Sequence, residues 1–296
     1  GGGPAGLTAG LYAARSKLDV VLLEKGATGG QVLNTDWVDN YPGFPEGISG
    51  FDLADKMAAQ AARFALTTVM KPVQSMDLSG EVKKLFLESG DTLTCRSLII
   101  ATGARPSYLN VPGEKELQAK GVSYCATCDG PFYRNLEIAV VGGGNTAVQE
   151  AMHLTKFAAK VYVIHRRDEL RATKILQELA FANEKIEFVW NSQVAEILGD
   201  KEVTGARLVT KDGQESTLPI QGIFILVGIQ PNNETLPLDQ LEMEDGFIVT
   251  DREMRTNIPG VMAAGDICSK NVRQISNAVG EGAVATLSVE HYLLGG

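Results

Sequence analysis

Cys125-Ala126-Thr127-Cys128 is a cysteine pair at CxxC spacing, followed directly by an acid, Asp129. Two sulfurs at this spacing can close into a disulfide and pass two electrons by exchange through a mixed disulfide. A pair at a helix N-terminus has a lowered thiol pKa, so one sulfur is thiolate near neutral pH. Asp129 is a candidate acid to protonate a leaving thiolate. It also reads as a helix-cap carboxylate, and the two roles are compatible. Zinc is the competing chemistry, and the ligand count is against it. A structural zinc site takes four ligands, commonly from a second pair. Cys95 and Cys268 stand alone, and His153, His165 and His291 lack metal-ligand spacing. Both lone cysteines read as small packing residues.

The pair lies between two glycine-rich turns that repeat without gaps. Gly1-Gly2-Gly3-Pro4-Ala5-Gly6 aligns with Gly142-Gly143-Gly144-Asn145-Thr146-Ala147. A helical pattern follows each, Leu7 to Ser16 and Val148 to Phe157. Apolar strands come next, Val20 to Leu23 and Val161 to Ile164. Strand, glycine turn, helix, strand is the βαβ nucleotide unit. Its glycines make the tight turn and let backbone N–H groups approach a pyrophosphate at the helix N-terminus. The strand that should lead into Gly1 is missing from the sequence, which opens without Met, so the natural chain is expected to begin earlier.

The ends of the second strands separate the ligands. The first ends at Glu24, which suits the hydroxyls of an unphosphorylated adenosine ribose, as in FAD or NAD. The second ends in His165-Arg166-Arg167, with Arg171 one turn later. Guanidinium groups grip a 2′-phosphate that a carboxylate would repel, so this site reads as NADPH. Further strands are expected over Ser97–Thr102, Gly222–Gly228 and Val261–Ala264, and helices over Asp52–Phe64 and Ala278–Leu294. Turn-rich stretches at 110–113 and 231–235 read as hinges. They give an α/β fold of two Rossmann-like three-layer domains. An FAD-binding domain of 1–109 and 235–296 is interrupted by an NADPH-binding domain of 110–234 that carries the dithiol. The net charge of −9 argues against nucleic-acid binding and against a basic membrane surface. No apolar run reaches the roughly 20 residues that span a bilayer. A lone CxxC in a chain of 296 residues suits catalysis in a reducing cytoplasm better than a structural disulfide framework.

From end to end the sequence resembles the bacterial-type, low-molecular-weight thioredoxin reductases. The likeness rests on both glycine turns, Gly30-Gln31, Asn40-Tyr41-Pro42-Gly43, Ala101-Thr102-Gly103, the CATC run with Asp129-Gly130, His165-Arg166-Arg167-Asp168 with Arg171-Ala172, Gly265-Asp266 and Arg273-Gln274. The resemblance implies NADPH-dependent reduction of thioredoxin through FAD and a Cys125–Cys128 disulfide. FAD would lie along Gly1, Gly3, Pro4, Ala5, Gly6, Glu24, Gly30, Gln31, Thr35, Asn40, Thr102, Gly103, Gly265 and Asp266, with Arg273 and Gln274 near the isoalloxazine. NADPH would take Gly142, Gly144, Asn145, Thr146, His165, Arg166, Arg167, Arg171 and Gly228. Cys128 would face the flavin and Cys125 the substrate disulfide. The family is homodimeric, and nicotinamide and disulfide must visit one flavin in turn, so the inserted domain is expected to rotate. Two rival readings share these motifs: the flavoprotein reductase of a peroxidase system, and a nucleotide-binding redox sensor without turnover.

Overall fold

The computed structural model describes residues 1–35 and 37–295. The chain forms two compact units, Gly1–Arg105 with Gln230–Gly296, and Pro106–Ile229. The division thus falls at 105/106 and 229/230; the turn signals put it at 109/110 and 234/235.

The first unit opens with α1 (Pro4–Arg15), then β1 (Val21–Glu24), α2 (Gly50–Ala62) and β2 (Thr67–Met70), which runs parallel to β1. An antiparallel meander follows: β3 (Val73–Asp77), β4 (Lys83–Leu87) and β5 (Thr92–Cys95). After β6 (Leu98–Ile100), the short β7 (Ala104–Pro106) leads out of the unit.

The second unit holds β8 (Val122–Ser123), the one-turn helix α3 (Ala126–Asp129), β9 (Glu137–Val141), α4 (Asn145–Leu154), β10 (Lys160–Ile164), α5 (Lys174–Phe181) and β11 (Ile186–Val189). An antiparallel sheet of β12 (Ser192–Gly199), β13 (Val203–Thr210) and β14 (Glu215–Pro219) follows, then β15 (Gly222–Ile225). The chain leaves through β16 (Ile229–Pro231), which pairs with β7, so the two crossings lie side by side as a ribbon. The first unit is completed by β17 (Val261–Ala263), parallel to β6, and α6 (Ile275–Leu293).

The second unit's main sheet is wholly parallel, in the order β8-β15-β9-β10-β11. Both faces are covered, so its strands are continuous apolar runs, not alternating ones. Ile138, Val140 and Phe224 are fully buried, each contributing about 1.5–3 kcal/mol of burial. Helix α4 lays Ala147, Ala151 and Leu154 on this core at helical spacing, and its Val148 packs with Leu170, Ala172 and Ala180.

The repeat survives into three dimensions. Helices α1 and α4 start 141 positions apart, at Pro4 and Asn145, and each leads into a strand, β1 ending at Glu24 and β10 at Ile164, just before His165. Pro4 suits the first helical position because its fixed φ is already helical and its missing N–H would be unpaired there. The glycines inside α1 weaken it, and packing on α6 compensates: Thr286 Oγ1 donates to the Ala9 carbonyl at 3.1 Å across that contact. Among the described residues, no helix is long and apolar enough to cross a membrane.

Candidate functional site: a disulfide and two glycine turns

In the first unit, the turn before α1 is built by close approach. A Cβ at Gly6 would sit 1.9 Å from the Gly1 carbonyl oxygen, so helix and turn meet only because the residue is glycine. The nitrogen of Gly1 donates to the Leu23 carbonyl on β1, and Gly29 N–H to the Gly2 carbonyl (2.7 Å). At Gly3, ahead of α1, the space is open: the nearest atom to an added Cβ is the Gly30 Cα at 3.9 Å. A helix N-terminus without a side-chain cap, with room in front, fits a pyrophosphate. Pro4, Ala5 and Gly6 form the first turn of that helix.

Glu24 ends β1 beside this turn. One carboxylate oxygen accepts the Gly2 amide and the other those of Lys25 (2.7 Å) and Gly26 (2.9 Å). Burial opposes its charge, but these amides together with the positive charge on the Gly1 nitrogen outweigh burial and hold the carboxyl below the usual carboxylate range. Gln31 accepts from Asn34 within a 3₁₀ turn, Gly30–Asn34, and the Thr35 carbonyl accepts the Gly50 amide. Asn40 donates to the Gln274 side chain at 3.1 Å, joining two residues 234 positions apart. Gly103 adopts φ +72, and Asn232 binds the carbonyls of Thr102 and Gly103.

Among the polar atoms of this unit that are buried without a hydrogen-bond partner among the described residues are Thr102 Oγ1 and Asp266 Oδ1. Lys270 Nζ lies 3.8 Å from the latter. Burial raises the Asp266 carboxyl against the pull of Lys270 and Arg273. A hydroxylated ligand would satisfy both orphaned atoms. Gly265, just before, donates to Glu281 Oε2 at 2.8 Å. The Arg273 guanidinium turns onto the protein instead, donating to the carbonyls of Asp266, Cys268 and Lys270 and stacking 4.2 Å from the Phe247 ring centroid.

The second turn uses the same frame with different fittings. Gly144 precedes α4, and among the described residues nothing lies within 4 Å of an added Cβ there. At Gly143 a Cβ would strike the His165 ring at 2.3 Å, so the strand-end histidine is packed flat against the turn. His165 is 6 % exposed, and burial, then the charges of Arg171, Arg167 and Arg166, depress its pKa. A neutral buried imidazole of this kind is a wall of the loop. The Gly143 carbonyl accepts the amides of Arg171 (2.7 Å) and Ala172 (3.1 Å), and Asn145 Oδ1 accepts that of Thr173 (2.8 Å). These bonds bring the arginine loop onto the glycine turn, while Arg166, Arg167 and Arg171 remain exposed with Thr146. Leu226, two residues before Gly228, places its carbonyl against Gly142. Gly228 itself adopts φ +134 and accepts the Ser107 amide.

Cys125 and Cys128 are joined as a disulfide in this same unit. Cys125 caps α3, its sulfur accepting the Cys128 amide at 3.2 Å. Sequence reasoning did not single out the supports of this pair. Ser123 is buried and donates to Asp129 Oδ2 at 2.6 Å. Tyr124 donates to Glu114 Oε1 at 3.0 Å, and Glu114, 1 % exposed, also accepts the amides of Leu109 and Asn110. Tyr133 is pushed up to about 12 by burial and by the charge of Asp129. No motif marks these residues; Ser123 could have been found only by asking what holds Asp129.

A family model described as pyridine nucleotide-disulphide oxidoreductase matches residues 1–282. A thioredoxin reductase of Listeria monocytogenes is 48 % identical over 295 residues, covering 99 % of this chain and 92 % of that protein. The chain belongs to the thioredoxin reductases. A solved thioredoxin reductase from Streptococcus pyogenes superposes with a TM-score of 0.95 at 46 % identity, covering 100 % of this chain and 97 % of that one. The Lactococcus lactis thioredoxin reductase, in what is described as its FR conformation, gives 0.67 at 45 % identity over the same shares. As in other thioredoxin reductases of this class, the cofactors are FAD and NADPH. The orphaned Asp266 and Thr102 atoms and the open space before α1 fit the first; the exposed arginines and the open space before α4 fit the second.

Proposed function

We propose that this chain reduces the disulfide of thioredoxin with electrons from NADPH, through FAD in the first unit and Cys125–Cys128 in the second. The observation that carries the reading is the Cys125–Cys128 disulfide, set at a helix N-terminus with Asp129 hydrogen-bonded beside it.

Gly1, Gly3 and the start of α1 hold the FAD pyrophosphate, Glu24 the adenosine ribose, and Asp266 a hydroxyl of the ribityl chain. Gly30, Gln31, Thr35, Asn40, Thr102, Gly103, Gly265, Arg273 and Gln274 complete that site. Gly142, Gly144, Asn145, Thr146 and Gly228 line the NADPH site. Arg166, Arg167 and Arg171 grip the 2′-phosphate against the wall made by His165. Bound FAD supplies two-electron transfer between nicotinamide and disulfide. The reduced Cys125 thiolate attacks the thioredoxin disulfide, forming one S–S bond and breaking another. The displaced thioredoxin sulfur takes a proton from Asp129. Cys128 then attacks Cys125 Sγ, which frees the second thioredoxin sulfur and restores the Cys125–Cys128 disulfide.

Nicotinamide and disulfide belong to one unit and need the same flavin, so that unit turns on the β7–β16 ribbon between half-reactions. Support comes from the relatives. Two solved structures of nearly equal identity differ widely in TM-score, which divergence in sequence does not explain. The enzyme works in the cytoplasm, where the free thiols Cys95 and Cys268 stay reduced. It works as a homodimer, a state supported by the exposed Val284 and Leu287 on one face of α6.

The roles of the two sulfurs are open to a trapping experiment. Cys128→Ser should abolish turnover and capture a single-cysteine thioredoxin, activated as its thionitrobenzoate disulfide, on Cys125. Cys125→Ser should abolish turnover without capture. The reverse pattern, read by mass spectrometry, overturns the assignment. A flavin-loaded enzyme that oxidises NADPH but leaves thioredoxin oxidised overturns the substrate.

A further inference from the structure

Asp129 ends a helix of a single turn, whose geometry does not by itself direct the carboxylate. The direction comes from β8. Ser123, 3 % exposed, is fixed there by parallel pairing with β15, Ser123 opposite Phe224. Its Oγ accepts the Cys125 amide at 3.1 Å, stands 2.6 Å from Asp129 Oδ2, and lies 3.4 Å from the Cys125 carbonyl. A hydroxyl has one proton to give. Between an ionised carboxylate at 2.6 Å and a neutral carbonyl at 3.4 Å, the carboxylate takes it. The chain of bonds therefore runs from the Cys125 amide through Ser123 Oγ to Asp129.

We propose that Ser123 is a positioning residue for thiol–disulfide exchange: its buried hydroxyl ties the Asp129 carboxylate to the backbone of Cys125 and so fixes where the proton for the leaving thiolate is delivered. The inference rests on the acid role given to Asp129 above. When Asp129 has given up its proton, the bond from Ser123 becomes charge-assisted, so it strengthens as the proton leaves. Tyr133 faces the Asp129 carboxylate from the 3₁₀ turn after α3, and the redox pair flanks it in sequence. Helix α4, packed on α3, carries Glu150 and His153. A Ser123 that merely braced the loop through the Cys125 amide would leave the pH dependence of exchange untouched.

The test uses flavin-loaded enzyme, reduced with NADPH and mixed with oxidised thioredoxin in a stopped-flow instrument across the neutral range. Ser123→Ala should slow exchange about tenfold, as expected for a misaimed catalytic group. It should also move the apparent titration of exchange upward by about one pH unit, the scale of a lost hydrogen bond to a charge. Reduction of the enzyme by NADPH, followed in the same preparation, should change less than about twofold, since Asp129 takes no part in it. Ser123→Thr, which keeps the hydroxyl, should restore the wild-type profile. In an Asp129→Asn background, Ser123→Ala should add no further shift. Ser123→Gly removes the same hydroxyl and serves should the alanine variant fail to fold. Superimposable pH profiles, or equal slowing of both half-reactions, overturn the positioning role. If Asp129→Asn alone leaves exchange unchanged, the acid role falls and the positioning role with it, an outcome distinct from the first.

Discussion

The two glycine turns share a frame and differ at one place, the end of the following strand. Both begin a helix at a glycine with open space ahead of it. In the first unit the strand ends in a carboxylate already engaged by three backbone amides, whose other bonds are left for hydroxyl donors. In the second it ends in a buried, neutral histidine and exposed guanidinium groups. In the proposed reading, the pyrophosphate part of recognition is common to both and made from backbone, and a few side chains of opposite charge at the strand end would add discrimination between ligands.

The strongest way to break the comparison is at the frame. Gly6→Ala drives a methyl into the Gly1 carbonyl, a backbone overlap with no side chain able to yield. Overpacking of this kind costs about 1–3 kcal/mol or more. The variant should purify without flavin absorbance and with a lowered Tm. Gly144→Ala, in open space, should keep its flavin and fold, and should weaken NADPH alone. Equal behaviour of the two variants would erase the distinction between a turn closed by contact and a turn open to ligand.

A change at the strand end should be smaller and selective. With charge-assisted bonds worth about 1.5–3 kcal/mol each, Arg166→Glu with Arg167→Glu should raise the KM for NADPH about a hundredfold. The KM for NADH should move far less, and flavin content should stay unchanged. Steady-state assays with both nucleotides check this, and a parallel loss with NADH would refute phosphate reading by these arginines.

The smallest effect concerns Glu24. Its folded-state pKa is depressed, so its charge adds stability above the unfolded pKa, and that stability is lost as pH falls through the folded value. Thermal melts of the wild type should therefore steepen in pH dependence below about pH 4.5, and those of Glu24→Gln should be flatter over the same window. Parallel curves would show that the amides around Glu24 contribute nothing through its charge.

Much of this was legible because its physics is local. Glycines needed for close approach, the 3.6-residue period of α4 and the apolar runs of β9, β10 and β15 all sit in short windows of sequence. The arginines after Ile164 could be singled out as candidates because, in the proposed reading, a ligand-reading position follows its strand at a fixed offset. The antiparallel meanders β3–β5 and β12–β14 were not read: β3, β5 and β14 are short and partly exposed, and β12 and β13, at eight residues each, carry no ligand motif to mark them. The supports of the dithiol were hidden for another reason. Ser123 and Glu114 act through bonds that depend on where β8 and the turn before Glu114 lie, and a serine or glutamate in sequence carries no mark of that. The helix at the end begins at Ile275, three residues ahead of the expected Ala278; Gln274, at its N-cap position, makes no side-chain cap bond and accepts from Asn40 instead.

The packing of α1 on α6 has a consequence for synthesis. Helix α1 leaves the ribosome before the whole inserted unit, and its partner α6 after it. The inserted unit, complete by Ile229, can fold before α6, which starts at Ile275, is translated. Helix α1 meanwhile waits with Ala5 and Ala9 uncovered on the side that α6 will take. The cell must shield that nascent face for the whole interval, so chaperone dependence in this chain should originate at its first helix.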